Sequence, residues 1–196
     1  MGVAFLLSGQ GAQKPGMGAA LIEQGAPEVA ETFTIASEAF GFDVADVCLN
    51  ASAETLRDTA FAQPAMCTLS VAVAKALEAR GVRPAYVAGF SLGQIAALAV
   101  SGMVSERDAF RIAAFRAKVM AEAAAARPGS MCALLGGKPE EASEVCSSAA
   151  QGDVLVCANY NAPGQIVISG DVAAVDRAAA LRSEEHTSEL QSRCTI

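Results

Sequence analysis

A Gly-x-Ser-x-Gly pattern at a predicted strand-to-helix junction is the feature that most constrains how this chain can fold. The apolar run 86–90 has the length of a buried strand, and the alanine-rich run 95–100 favours a helix. A Cβ at Gly89 or Gly93 would press on the neighbouring strand or helix, so the turn requires glycine there. The pattern therefore predicts a sharp bend that presents Ser91 at the carboxyl end of a strand.

Ser91 has two interpretations on sequence alone. In the first, it is a nucleophile whose hydroxyl lies beside the free backbone N–H groups of the next helix, which can stabilise a developing oxyanion. In the second, it only caps that helix. The strand before it and the helix after it favour the nucleophile.

The composition predicts a globular protein that keeps its thiols reduced. The chain has 196 residues, 53% of them hydrophobic, which suits one domain or one domain with a small subdomain. Its net charge of −7 argues against nucleic-acid binding. We expect a cytoplasmic protein, because no apolar run reaches membrane-spanning length and no signal peptide is recognisable. The six cysteines lack Cys-x-x-Cys spacing, so we expect buried thiols and no metal site.

The alternation of strands and helices in residues 1–127 predicts an α/β fold with parallel strands and right-handed crossovers. The uninterrupted apolar run 3–7 is typical of a strand that is buried on both faces of a parallel sheet. The predicted elements are strands at 3–7 and 86–90, helices at 27–40, 63–80, 95–100 and 105–126, and short helical pieces within 43–58.

Residues 128–181 form a predicted smaller subdomain. Its strand–helix–strand–strand–helix order fits a ferredoxin-like split βαβ unit that lacks its closing strand. The predicted elements are strands at 131–135, 154–158 and 165–169, helices at 139–150 and 172–181, and a turn-rich connection at 159–164.

A glycine-containing loop follows the first predicted strand. Gly9-x-Gly11 indicates a backbone that comes close to a ligand. A dinucleotide-binding loop needs a third glycine where this chain has Lys14, and the Walker pattern is missing as well. We therefore interpret the loop as one that supplies a backbone N–H group to a neighbouring site.

A guanidinium is predicted within an apolar face of the helix 105–126. Burying Arg116 is unfavourable unless its donors find a carboxylate or a phosphate. Periodicity leaves two explanations open, an internal salt bridge or snorkelling stem, and a bidentate clamp for an acidic substrate. The apolar residues predicted on the same face are Ala109, Ile112, Ala113, Val119, Met120 and Ala123.

Five spaced motifs occur in the chain: Ser8–Gln13, Gln63–Ala65, Gly89–Gly93, Arg116–Lys118 and Asn159–Gln165. In this order they resemble the malonyl-CoA:acyl carrier protein transacylases, the acyltransferases of fatty-acid synthesis. The resemblance spans residue 3 to about residue 181. It implies an α/β-hydrolase-like parallel-sheet core at 1–127 with an inserted ferredoxin-like small subdomain at 128–181, both incomplete.

The resemblance also implies roles for individual residues. Ser91 would be the catalytic nucleophile, and the backbone N–H groups of Gln10 and Leu92 would form the oxyanion hole. Arg116 would grip the malonyl carboxylate, and Gln63 would also bind substrate. The implied reaction is ping-pong transfer of malonyl from malonyl-CoA to the phosphopantetheine thiol of acyl carrier protein, without a bound cofactor or metal.

The chain departs from the family pattern beside the serine and at its carboxyl end. Phe90 and Gln94 stand where family members often have His and Glu. The family's catalytic base is a histidine beyond the small subdomain, and the chain's single histidine, His186, lies in 182–196, which resembles a translated adapter sequence. We therefore expect a truncated chain with a non-native tail at 182–196. Its activity should be very low, because loss of the base from a serine–histidine pair costs about 10⁶ in kcat in a serine protease.

Other functions remain open at this point. A serine esterase or thioesterase of the α/β-hydrolase type shares the Gly-x-Ser-x-Gly pattern but gives no reason for the Gln10 loop or for Arg116. A non-catalytic interaction module is a further alternative, and a polyketide synthase acyltransferase domain is a close neighbour. Acyl carrier proteins are acidic, so basic residues are candidates for docking: Lys75, Arg80, Arg83, Arg107, Arg111 and Lys118.

Overall fold

Residues 2–136, 138–185 and 194–195 are described by the computed structural model. They form an α/β protein whose chain divides into two units, Met1–Ala121 and Glu122–Ile196, each with its own hydrophobic core. The division lies within the long helix Glu106–Ala126, six residues before the boundary that was expected at 127/128.

The first unit, unit 1, consists of a two-stranded sheet and its helices. Helices at 27–40 and 105–126 were predicted, and the structure confirms the first with the same bounds and the second starting at Glu106. The region 43–58 contains only short helical pieces, as expected. The elements are β1 (Val3–Leu7), α1 (Ala19–Glu23), α2 (Pro27–Phe40), α3 (Val44–Asn50), a 3₁₀ turn (Thr55–Arg57), α4 (Thr59–Ala79), β2 (Pro84–Gly89), α5 (Gly93–Val100) and α6 (Glu106–Ala126).

Strands β1 and β2 pair in parallel, which confirms the predicted orientation. Phe5 and Leu7 point into the core, whereas Leu6 between them is 80% exposed. The expectation that β1 is buried on both faces is therefore wrong for the part of the chain that the structure describes. Side chains alternate between the two faces of a strand, and the core of unit 1 packs on one face of β1.

Helix α4 begins at Thr59, four residues before the predicted start at Gln63. The side chain of Asp58 accepts a hydrogen bond from the backbone N–H of Ala60 at 2.8 Å, so Asp58 caps the helix and Pro64 lies inside it. By length and composition alone, α4 is also apolar enough to cross a membrane, which corrects the expectation that no run has that length. Its sequence window is 61% buried within the protein, as in a core helix.

The buried stripe of α6 differs from the predicted one. Its buried residues are Ala109, Phe110, Ala113 and Ala117. Ile112 and Val119, which were expected on the apolar face, are exposed. Arg116 is half-buried and therefore lies at the edge of the buried stripe.

The second unit, unit 2, is an antiparallel sheet with two helices. Its strand order is β4-β5-β3-β6, and β3 pairs with β5 along its whole length, from Gly129 opposite Asp171 to Leu135 opposite Gln165. The elements are β3 (Gly129–Leu135), α7 (Pro139–Ala150), β4 (Leu155–Ala162), β5 (Gln165–Asp171), α8 (Val172–Glu185) and β6 (Cys194–Thr195).

Unit 2 confirms the predicted helix at 139–150 and corrects three other expectations. Strand β4 continues to Ala162 through the segment expected to be turn-rich, because its backbone pairs with β5. Helix α8 continues to Glu185 rather than ending at 181. A closing strand was not expected, but β6 pairs with Ser130 and Met131 of β3.

Two buried thiols of unit 1 give an expected dependence of stability on pH. Burial raises the pKa of the Cys67 thiol from 9.0 to about 12, and burial followed by the charge of Asp43 does the same for Cys48. The unfolded chain releases these protons above pH 9.0 while the folded chain retains them. The contribution of these two thiols to the free energy of unfolding should therefore be constant below this pH and fall as the pH rises toward about 12.

Denaturant titrations at a series of pH values measure this dependence. Cys67→Ala should show a shallower fall with pH than the unchanged chain, whatever its stability at neutral pH. An identical pH dependence in the two proteins would show that the Cys67 thiol ionises equally in the folded and unfolded chains.

Candidate active site

The turn between β2 and α5 holds Ser91 in an unusual backbone conformation. Ser91 has φ of 50°, in the left-handed region that non-glycine residues rarely adopt. The backbone N–H of Gly93 donates to the carbonyl of Phe90 at 2.8 Å, and that of Gln94 donates to the carbonyl of Ser91 at 3.1 Å. The turn is therefore tight, and its serine is exposed immediately before the N-terminus of α5.

Close backbone approaches explain the glycines on both sides of Ser91. A Cβ on Gly89 would collide with the backbone of Gly93, and a Cβ on Gly93 would collide with the carbonyl of Leu7. Gly9 is similarly restricted, because its Cβ would lie 2.7 Å from the carbonyl oxygen of Phe90. These contacts confirm that the turn leaves no room for side chains at 89 and 93.

Arg116 reaches Ser91 from α6. Its Nη2 donates a hydrogen bond to the Ser91 Oγ at 3.3 Å. Its Nη1 is buried and has no hydrogen-bond partner among the described residues. Burial lowers the pKa of the Arg116 guanidinium below its usual value. The described part of the chain shows no internal salt bridge for Arg116. Its guanidinium instead donates a hydrogen bond to the Ser91 hydroxyl.

A hydrogen-bonded chain of side chains lies under the loop after β1. Gln10 Nε2 donates to the Thr59 Oγ1 at 3.1 Å, and Gln63 Nε2 approaches Gln10 Oε1 at 3.4 Å and Met120 Sδ at 3.3 Å. The Gln63 side chain is fully buried, yet its Oε1 has no partner in the described structure. Gln63 therefore connects the Gln10 loop to α6, one helical turn beyond Arg116.

Thr59 was not predicted to be a neighbour of this site, and Met120 was predicted only as an apolar residue on the face of Arg116. Each lies four residues from a predicted site residue, Thr59 before Gln63 on α4 and Met120 after Arg116 on α6. Residues four apart share a helix face, so this spacing was the available signal.

The two backbone N–H groups expected to be oxyanion donors belong to Gln10, in the loop after β1, and to Leu92, in the serine turn. The backbone N–H groups of Gln10 and Leu92 make no hydrogen bond within residues 2–136, 138–185 and 194–195. Leu92 is the N-cap of α5, so its N–H group lies at the positive end of the helix. Neither N–H group therefore has a hydrogen-bond partner in the part of the chain that the structure describes.

Two further predictions concern the carboxyl-terminal tail and metal binding. His186 and most of the segment assigned to a non-native tail lie outside the described residues. Within the described ranges, no cluster of three or more His, Cys, Asp or Glu side chains could hold a metal ion.

Several candidate docking cations already have partners inside the protein. Lys75 pairs with Glu106 at 2.6 Å, and Arg107 pairs with Glu38 at 2.8 Å. Arg111 lies 3.6 Å from Asp108. Arg80 donates to a backbone carbonyl and to Gln24, and Lys118 also has an interaction partner. The expected basic patch is therefore largely engaged in bonds within the chain.

Comparison with known proteins gives the class of this protein. The family model described as an acyl transferase domain matches residues 4–193. The chain therefore belongs to the acyl transferase domain family. The match continues through residues 182–193, although the resemblance was expected to end at about residue 181.

The relatives within this family share one name. The malonyl CoA-acyl carrier protein transacylase of Escherichia coli strain K12 is 40% identical over 180 residues, which cover 90% of this chain and 57% of the relative. The chain thus spans a little over half the length of the curated relatives that it matches.

Solved structures give the same result. The malonyl-CoA:acyl carrier protein transacylase of Xanthomonas oryzae pv. oryzae is 42% identical with a TM-score of 0.87, covering 99% of this chain and 61% of that chain. A malonyl-transacylase in complex with its type II polyketide synthase acyl-carrier protein is 32% identical with a TM-score of 0.87, covering 100% of this chain and 62% of that one.

The backbone strain at Ser91 leads to a testable prediction. Glycine adopts the left-handed conformation without strain, so Ser91→Gly should raise the free energy of unfolding by about 0.5–1 kcal/mol. Gln151 has φ of 49° at the end of α7, outside this site, so Gln151→Gly is a matched control with an expected gain of the same sign.

Chemical denaturation of the two variants and the unchanged chain measures these gains. A loss of stability in Ser91→Gly together with a gain in Gln151→Gly would show that position 91 is not strained.

Proposed function

We propose that this chain carries the nucleophile and acyl-binding residues of an enzyme that transfers malonyl from malonyl-CoA to the phosphopantetheine thiol of acyl carrier protein. The observation that carries the proposal is the 3.3 Å contact between Arg116 Nη2 and the exposed Ser91 Oγ, with Arg116 Nη1 buried and unpartnered within the described structure. A nucleophile beside a guanidinium with an unused donor suits an acyl group that bears a carboxylate. The names of the family relatives agree with this substrate.

Ser91 is the proposed catalytic nucleophile. Its strained conformation exposes the hydroxyl at the start of α5, where helix N–H groups favour developing negative charge. The Gly-x-Ser-x-Gly turn is the arrangement by which α/β-hydrolase-type enzymes expose their serine. This geometry supports a nucleophile over a simple helix cap, since the N-cap of α5 is Leu92 and the Ser91 Oγ hydrogen-bonds only to Arg116 among the described residues.

The backbone N–H groups of Gln10 and Leu92 are the proposed oxyanion hole. Two observations support this role. Neither N–H group has a hydrogen-bond partner in the described chain, and the Gln10 side chain is hydrogen-bonded to Thr59. Preorganised donors stabilise the tetrahedral intermediate because they need no reorientation when charge develops.

Arg116 and Gln63 are the proposed substrate-binding residues. A malonyl carboxylate has two oxygens, and the guanidinium can offer Nη1 to one of them without breaking an existing bond. The buried amide of Gln63 holds the Gln10 loop against α6, and its Oε1 is free of partners in the described structure. Gln63 thus helps to fix the distance between the oxyanion donors and the clamp.

The reaction proceeds in two halves. The Ser91 oxygen attacks the thioester carbonyl, its proton passes to a base, and coenzyme A leaves as a protonated thiol. The phosphopantetheine thiol then attacks the malonyl ester, and Ser91 recovers a proton. Malonyl-CoA is a substrate in this scheme, and no bound cofactor or metal takes part.

We assign the base to a histidine in the part of the longer relatives that this chain does not span. The chain's one histidine is His186, outside the described residues. The 196-residue chain should therefore transfer malonyl very slowly by itself, since loss of the base costs about 10⁶ in kcat in a serine protease.

The finer description of the fold is part of the same proposal. We assign unit 1 to an α/β-hydrolase-like core, supported by its parallel strands and its serine turn. We assign unit 2 to a ferredoxin-like subdomain, supported by its β3-α7-β4-β5-α8 order and antiparallel sheet. The five described cysteines form no disulfide with one another, which supports a reducing, cytoplasmic location.

Replacing Arg116 tests the carboxylate clamp. In a chimera in which residues 1–181 of this chain replace the matching part of the Escherichia coli relative, Arg116→Ala should lower kcat/KM for malonyl-CoA by about 10- to 100-fold, the value of a charge-assisted hydrogen bond. Acetyl-CoA lacks the carboxylate, so its kcat/KM should fall much less.

Arg111→Ala is the matched control for this test. Arg111 lies on the same helix, is exposed and pairs with Asp108, so its loss should leave both rates unchanged. An unchanged ratio of malonyl to acetyl transfer in Arg116→Ala would show that Arg116 does not bind the carboxylate.

Replacing Ser91 tests the acyl-enzyme. Intact-mass measurement of the same chimera with malonyl-CoA should show one added malonyl group, which Ser91→Ala removes because it lacks the oxygen that bears it. Ser101→Ala is the control, since the Ser101 Oγ donates only to the Leu98 carbonyl among described residues.

The same chimera also distinguishes the alternative functions, through ester hydrolysis and through the intact-mass measurement. Faster hydrolysis of p-nitrophenyl esters than malonyl transfer would instead indicate an esterase. Absence of any adduct on the unchanged chimera would indicate a non-catalytic interaction module.

A further inference from the structure

Two thiols of unit 2 lie in direct contact. The Sγ atoms of Cys146 on α7 and Cys157 on β4 are 3.8 Å apart, and both are free thiols. Cys146 is buried in the core of unit 2, and Cys157 is half-buried at the edge of that core. Cys157 is therefore the more exposed residue of the pair.

An irregularity in β4 completes this thiol cluster. Cys157 lies opposite Ile168 and Tyr160 opposite Ile166, with a register shift between Cys157 and Asn159. Both isoleucines point into the core, and directly opposed residues share a sheet face. The shift thus places Tyr160 on the face of Cys157 although the two are three residues apart.

We propose that Cys146 and Cys157 are an oxidative modification site that forms a reversible disulfide on exposure to a hydroperoxide. A disulfide has an S–S length of about 2.0 Å, so the two sulfurs must approach by only about 1.8 Å. Neighbouring groups on a folded scaffold react far faster than separate molecules do. This site lies within unit 2 and does not depend on the proposed acyl transfer.

The oxidation balances with hydrogen peroxide as the oxidant. Peroxide first transfers an oxygen atom to the Cys157 sulfur, so that an S–O bond forms, the O–O bond breaks and water leaves. The Cys146 sulfur then attacks the sulfenic sulfur, the S–S bond forms, and the hydroxyl leaves with the thiol proton as a second water. Two thiols are oxidised by two electrons, and one peroxide is reduced to two waters.

The positions of the two thiols set the order of these steps. Cys157 reacts first because it is the more exposed of the two. Burial, then the interaction with Cys157, raises the pKa of the Cys146 thiol, so Cys146 is the less reactive of the two toward peroxide. The buried thiols of Cys48 and Cys67 in unit 1 should remain reduced under the same conditions.

Peptide mapping of the 196-residue chain tests the proposal. The chain is treated with hydrogen peroxide, quenched with catalase, unfolded, and alkylated with N-ethylmaleimide. Cleavage after glutamate releases the fragment 145–184, which contains Cys146 and Cys157 and no other cysteine. We expect this fragment to lose the mass of two hydrogen atoms and to take up no label, and dithiothreitol to restore both labels.

Three variants serve as controls. Cys146→Ser should leave Cys157 as a sulfenic acid that dimedone traps, and Cys157→Ser should leave Cys146 available to the label after unfolding. Cys132→Ser, which changes another thiol of unit 2, should form the disulfide like the unchanged chain.

Three results would overturn the proposal. The first is full labelling of both cysteines in the unchanged chain after peroxide treatment. The second is a sulfinic or sulfonic acid on Cys157 with Cys146 still labelled. The third is a disulfide between two chains in place of the internal one.

Discussion

The close contact of three backbone segments at the serine turn is the constraint on which the rest of the site depends. The N–H group of Phe90 donates to the carbonyl of Leu7 at 2.9 Å, and Gly93 packs on the same carbonyl. Gly89 packs in turn on the backbone of Gly93. With no room for a Cβ at these positions, the chain turns sharply between β2 and α5, and Ser91 is held outward in a left-handed conformation.

Two polar groups of the site are buried without a hydrogen-bond partner in the described structure. Arg116 Nη1 and Gln63 Oε1 are buried without partners in the described structure, and burying an unpaired polar group is unfavourable. A ligand with a carboxylate would satisfy the guanidinium, which is the physical reason to connect Arg116 with an acidic acyl group. The Gln10–Gln63–Met120 contacts hold the loop and α6 in place.

Local patterns predicted the elements whose ends are determined locally. Helices α2 and α7 have the predicted bounds because proline and glycine or polar residues mark their ends within the sequence itself. The start of α4 was missed because the cap at Asp58 precedes the apolar periodicity. The end of β4 was missed because pairing with β5 outweighs the turn-forming residues in 159–164. Likewise, Leu6 of β1 is exposed because the core covers only one face of the strand. The apolar run in the sequence does not show which faces are covered.

The sequence by itself determined the order of the longer strands and helices, the family, and Ser91 and Arg116 as candidate site residues, because glycine sterics and helical spacing act over a few neighbours. Only the tertiary structure decided that Arg116 Nη2 reaches Ser91 Oγ, 25 residues away along the chain, and that two thiols 11 residues apart touch. Packing of helices against strands sets such distances, and no local pattern encodes them. The same packing decided that Arg116 lies at the edge of a buried stripe, with one nitrogen unpartnered in the described structure, rather than in an internal salt bridge.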